Sequence, residues 1–298
     1  DFAKNPEETN LRVLPEQIKK AKEIAGGNGM VAVNIMAVTQ LYETYVKTAC
    51  AAGVDAIISG AGLPTELPKF AEGYDVALAP IVSSTKSANV ILKFWDKKYH
   101  RTADFLVIEG PLAGGHLGFS REQLEDIPSL DYDTEIQNII ALKQTYEEKY
   151  QTTIPVFVAG GMFTAEDATH VMELGADGIQ AATRFVATEE CDASDAYKQA
   201  YVNASDDDVI IIKSPVGMPG RAIKNAFIER MLAAPDKISH CFNCLKACNP
   251  ATAPYCITQA LINAVVGDLD NGLIFCGSRV GEITKITTVP KLMQELTV

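Results

Sequence analysis

Basic residues are scarce in this 298-residue sequence: 26 Lys and Arg against 38 Asp and Glu leave a formal net charge of −12. That balance repels phosphate backbones, and no basic stripe interleaved with aromatics offsets it, which argues against nucleic acid as a partner. Long apolar runs are also missing. None approaches the roughly 18–20 residues needed to span a bilayer, which argues against a membrane partner. Aromatics make up 7% of the chain, with one tryptophan and four histidines. No G-x-G-x-x-G follows an apolar run, so the common dinucleotide fingerprint is absent. The seven cysteines are odd in number and no charged-then-apolar leader opens the chain. A reduced, cytoplasmic protein is the expectation.

What is present is a 47% hydrophobic chain, long enough for a sizeable core. Short β-branched or apolar runs recur at 30–34 (MVAVN), 55–59 (DAIIS), 76–82 (VALAPIV), 104–108 (DFLVI), 155–159 (PVFVA) and 178–181 (GIQA). Between them lie amphipathic stretches at 41–52, 87–98, 134–150 and 165–174, with Gly53 and Gly175 placed as helix-terminating glycines. A further helix is expected over 15–25, with Pro15 in its first turn.

This alternation predicts an α/β protein with parallel strands. Each strand ends in polar or glycine residues: Asn34, Ser59-Gly60, Ser83-Ser84, Glu109-Gly110, Gly160-Gly161 and Thr183. A barrel brings all its strand ends into one ring, whereas an open sheet uses mainly those at its switch point. The expectation is therefore a TIM (β/α)8 barrel whose first two βα units are absent from this sequence. Residues 1–204 would form the barrel and 205–271 a small helical lid. The tail, 272–298, would return to the barrel.

Two segments carry the chemistry. Gly160-Gly161 follows a strand and precedes a helix start at Thr164, so backbone N–H groups can approach an anion with help from the helix dipole. Thr183, one strand later, can donate its hydroxyl to the same anion, and barrel phosphate sites commonly follow strands seven and eight. A tight turn without ligand is the plainer reading of two glycines. The second segment, IEGPLAGGHLGF (108–119), surrounds His116 with glycines. Gly114 and Gly115 suit a loop pressed against a flat ring with the imidazole over it, although a lone histidine more often only caps its loop. His100 and His170 read as surface residues.

The ordered set VNIM (33–36), ISGAGLP (58–64), PIVSS (80–84), EGPLAGGHLG (109–118), VFVAGGM (156–162), GADGIQAATRF (175–185) and GRAIKN (220–225) resembles the nitronate monooxygenase family. It is equally similar to the related flavin-dependent enoyl-ACP reductases. The resemblance implies an FMN-binding TIM barrel with a lid. It implies Asn34, Gly160, Gly161, Gln180, Ala182 and Thr183 as FMN-binding residues, with Glu109, Gly114 and Gly115 lining the flavin. His116 becomes the base that takes a substrate proton. One departure is Ala181-Ala182, where the family carries a glycine before the threonine.

The implied activity is FMN-dependent oxidation of alkyl nitronates or nitroalkanes with O₂; the alternative is NAD(P)H-dependent enoyl-ACP reduction. Outside redox chemistry, the same anion site would serve a non-redox barrel that binds a phosphate ligand. Expected partners are a small-molecule substrate, NAD(P)H for the reductase reading, and a second copy in a homodimer.

The spacing Cys241-x₂-Cys244-x₃-Cys248-x₇-Cys256 is that of a [4Fe–4S] ligand set and resembles iron–sulfur flavoenzymes built on similar barrels. Zinc is disfavoured, because structural zinc sites favour paired C-x₂-C units. The other reading is reduced thiols packing a small lobe, in keeping with Cys50, Cys191 and Cys276 elsewhere.

Overall fold

The apolar runs form strands wherever a neighbour supplies the backbone partner. A computed structural model describes residues 5–297. Its strands are β1 (Ala32–Asn34), β2 (Ala56–Ser59), β3 (Ala77–Val82), β4 (Leu106–Glu109), β5 (Gly115–His116), β6 (Val156–Ala159), β7 (Gly178–Gln180), β8 (Val209–Lys213) and β9 (Pro219–Ile223). Among the described residues, six of these make one sheet in the order β1-β2-β3-β4-β6-β7. In that sheet β1 pairs with β2, β2 with β3, β3 with β4, and β6 with β7, all in parallel. Neighbours in sequence are neighbours in the sheet, with helices between, as a (β/α) barrel requires.

Contacts divide the chain into two compact units. One comprises Asp1–Ile108 and Asn138–Val156, the other Glu109–Gln137 and Phe157–Val298. The first has fully buried side chains that include Ile57, Leu78, Ile91, Trp95, Leu106 and Ile154. Trp95 also donates its Nε1–H to the Pro64 carbonyl at 3.2 Å. The second is packed around Phe163, Tyr201, Ile223, Ile274, Cys276 and Ile283. These divisions differ from the sequence boundaries at 204 and 271. The reason is long-range pairing: β5 lies antiparallel to β9, with Gly115 opposite Arg221 and His116 opposite Gly220. The ends of the expected segments, residues 1–4 and 298, lie outside the described residues.

Two further expectations need correction. The lobe after residue 204 is not purely helical, because the β-branched run VIIIK pairs antiparallel with β9 and builds a three-stranded sheet, β5-β9-β8. Pro15 lies inside a helix, Pro6–Ala25, rather than in its first turn. Asn5 caps that helix by accepting from the Glu8 N–H, and Pro6 takes the first helical position. Gly53 and Gly175 do have positive φ, 76° and 105°, after their helices. No helix of the described residues is long and apolar enough to cross a membrane.

Candidate active site

The glycine loops meet in the second unit. A cleft of about 270 Å³ is lined by Glu109, Gly114 and Gly115 from one loop, by Gly160 and Gly161 after β6, and by Gln180, Ala182 and Thr183 after β7. Eight of the nine residues assigned to a cofactor from sequence therefore share one cavity, near the lower edge of the roughly 300–1,000 Å³ common for ligand sites. Asn34 is not among them; it ends β1 in the first unit, where it is exposed. The sequence missed the contribution of the tail, in which Phe275, Cys276, Gly277, Ser278 and Arg279 form a wall of the same cleft. The signal available was GLIFCGS, an apolar run ending in glycine and serine like the other strand ends.

Close chain packing explains several of the glycines. A Cβ on Gly114 would lie 2.5 Å from the Cys276 carbonyl carbon and 2.7 Å from the Gly277 nitrogen. Gly160, at φ +93°, would meet the Ala113 nitrogen and the Gly110 carbonyl oxygen, each at 2.9 Å. These two residues are small because another stretch of backbone passes them. Gly115, at φ +70°, has only the Phe275 ring at 4.0 Å and faces the cleft more openly.

Thr183 accepts a hydrogen bond from the Gly277 N–H at 2.9 Å, which leaves its own hydroxyl proton to donate. Ser278 Oγ is buried without any partner among the described residues. The helix over Ala165–Glu173 opens with a capping box between Thr164 and Asp167. Its Asp167 carboxylate accepts from the Phe163 and Thr164 N–H groups at 2.9 and 2.7 Å, filling the place an anion would take. Arg279 donates to that carboxylate at 2.6 Å.

Burial sets the protonation of Glu109 and His116. Glu109, with no salt bridge among the described residues, is pushed up to about 7 by desolvation. His116 is pushed down to about 4 by the same cause, so its imidazole is neutral at pH 7. Its placement differs from the sequence expectation. His116 does not line the cleft, because successive strand residues point to opposite faces and Gly115 takes the cleft side of β5. The ring instead packs edge-on against Phe275, centroids 5.0 Å apart, and its Nε2 lies 2.8 Å from Ser214 Oγ.

The four cysteines of the C-x₂-C-x₃-C-x₇-C pattern are free thiols. Among the described residues no three His, Cys, Asp or Glu side chains are placed to hold a metal ion, so the expected iron–sulfur set is not assembled. Cys244 is engaged in a hydrogen bond with Thr258, and burial raises the Cys244 and Cys248 thiols, which keeps them un-ionised. His170 is exposed and pairs with Asp133 at 3.0 Å, and His100 caps a helix in left-handed conformation.

Known proteins share this architecture. The chain is 25% identical to FabK from Thermotoga maritima, with a TM-score of 0.71 over 95% of this chain and 80% of that one. Nitroalkane oxidase from Streptomyces ansochromogenes is 18% identical with a TM-score of 0.69, covering 96% and 84%. Together these likenesses show the TIM-barrel type of α/β fold. A probable nitronate monooxygenase of Staphylococcus saprophyticus is 32% identical over 135 residues, 45% of this chain and 36% of that protein. One from Staphylococcus aureus strain Newman is 30% identical over 128 residues, 43% and 34%. The matched stretch spans about a third of the length of these relatives. The profile of the nitronate monooxygenase family matches residues 2–298. The chain belongs to the nitronate monooxygenase family.

Proposed function

We propose that this chain is the FMN-binding part of an oxidoreductase that oxidises alkyl nitronates or nitroalkanes with O₂, with His116 as the base. The observation that carries the reading is the convergence of two separate glycine loops, Thr183 and the tail on one cleft, in a chain of this family. The donor set suits a phosphorylated ligand. The Thr183 hydroxyl is free to donate, Ser278 Oγ is buried and unpartnered, and Gly160 and Gly161 hold positive φ at the cleft. These four residues would hold the phosphate.

Bound FMN would accept electrons from the substrate and pass them to O₂. The protein's own part is proton handling and exclusion of water. A neutral imidazole can take an acidic α-proton directly, and burial keeps His116 neutral well below pH 7. Reduction of an enoyl thioester is the second reading, favoured by the likeness to FabK.

The test is spectroscopic. The purified chain, reconstituted with FMN, should retain flavin absorbance, bleach anaerobically with propane-2-nitronate and recover on admission of O₂. Bleaching by NADH and recovery with a crotonyl thioester would favour the reductase. A protein that retains no flavin after gel filtration would return the site to a non-redox phosphate ligand. His116→Gln should keep FMN and lose at least roughly a hundredfold in turnover of nitroethane.

A further inference from the structure

The hairpin that covers His116 holds a residue the sequence did not single out. Ser214, at the end of β8, is 3% exposed. Its Oγ accepts a hydrogen bond from the Val216 N–H at 3.3 Å and lies 2.8 Å from His116 Nε2. No other hydrogen bond involves that hydroxyl among the described residues. The imidazole is fixed on its other sides as well. Its backbone is held in the β5–β9 ladder, where the Leu117 N–H donates to the Pro219 carbonyl at 2.9 Å. Phe275 packs edge-on against the ring, and a side chain on Gly220 would crowd that phenyl at 3.0 Å.

We infer that Ser214 is a positioning residue that fixes the tautomer of His116, donating its hydroxyl proton to Nε2 so that Nε2 keeps the lone pair and Nδ1 carries the hydrogen. The inference rests on the reading of His116 as the base. One lone pair of the serine oxygen is engaged by Val216, and the buried hydroxyl proton needs an acceptor inside the protein. Among the described residues Nε2 is the acceptor that this hydroxyl contacts. The opposite tautomer, with Nε2–H donating to Ser214, would strand that proton in a buried position. His116 is only half-buried, so its Nδ1–H can be satisfied by water.

The consequence concerns where the substrate's acidic hydrogen sits. The tautomer leaves the lone pair on Nε2, so Nε2 is the nitrogen that takes that hydrogen. The C–H bond breaks, the proton passes to Nε2, and the electron pair stays on the substrate carbon as the nitronate.

The test uses ¹⁵N-histidine NMR on the FMN-loaded protein, with the His116 signals assigned by their loss in His116→Gln. In the unaltered protein Nε2 should be unprotonated and Nδ1 protonated. Ser214→Ala should move most of the population to the Nε2–H tautomer and lower kcat with nitroethane roughly tenfold, with KM within about twofold. Ser214→Thr, which retains the hydroxyl, should restore both. An Nε2–H tautomer in the unaltered protein, or one unchanged by Ser214→Ala, would overturn the assignment. Full proton abstraction by His116→Gln would instead overturn the base reading and leave the tautomer result standing.

Discussion

Glu109 ends β4 and His116 ends β5, the next strand along the chain, and burial drives their pKa values in opposite directions. Desolvation disfavours charge, so the carboxyl rises to about 7 and the imidazole falls to about 4. Both are neutral near pH 5.5. For the base, the acid limb of kcat/KM should fall near pH 4 rather than near 6.5, so activity measured between pH 5 and 6.5 should stay flat; a half-maximum near 6.5 would show an exposed imidazole. For the acid, the folded pKa lies above the unfolded value of 4.5, so its stability contribution is complete below pH 4.5 and is lost as pH rises through about 7. Glu109→Gln removes that loss. Thermal unfolding should give equal midpoints for the two proteins at pH 4 and a higher midpoint for the variant at pH 8. Equal midpoints at pH 8 would mean that the ionised carboxylate has found a partner.

At the scale of elements, the site depends on how closely loops from distant parts of the chain pass one another. The 109–116 loop is clamped from two sides. Arg221, itself buried, donates through its guanidinium to the Ala113 carbonyl, and Gly114 is wedged against the backbone of 276–277. Gly114→Ala would place a methyl 2.5 Å from the Cys276 carbonyl carbon, with backbone on both sides and no flexible side chain to yield. The loops must separate, at a cost of about 1–3 kcal/mol or more. Denaturant titration should register that loss, and FMN affinity should fall at least tenfold; an unchanged flavin Kd would show that the two loops do not set the cleft. Gly115→Ala, with nothing nearer than 4.0 Å, should cost less, although its φ of +70° adds strain.

At the scale of the whole molecule, the two compact units separate the duties of the chain. The sole tryptophan lies in the first, fully buried, and every residue lining the cleft lies in the second. Trp95→Phe removes the Nε1–H donor and leaves the Pro64 carbonyl without it, a loss of about 1–3 kcal/mol for a buried polar group. The unfolding midpoint in urea should drop accordingly while FMN Kd stays within twofold. A large loss of flavin affinity would show that the first unit governs the cleft directly.

Much of this architecture is legible in one dimension. Six apolar runs alternating with amphipathic stretches are local features, and they determine parallel strands because short β-branched segments must find a neighbour and the helices between them cover the faces. The glycines at 114, 115, 160 and 161 and the hydroxyl at 183 announce a strand-end site for the same reason: only small residues permit backbone to come that close. What the sequence could not state is which partners those residues meet. The antiparallel pairing of 115–116 with 220–221, the return of 275–279 into the cleft wall, and the hydrogen bond between His116 and Ser214, 98 residues apart, all depend on contacts between distant segments. Cysteine spacing likewise describes only how far thiols are apart along the chain. Tertiary packing decided that no three of them converge as metal ligands among the described residues, and that the imidazole turns to a hairpin serine rather than over the cleft, because strand alternation assigns adjacent side chains to opposite faces.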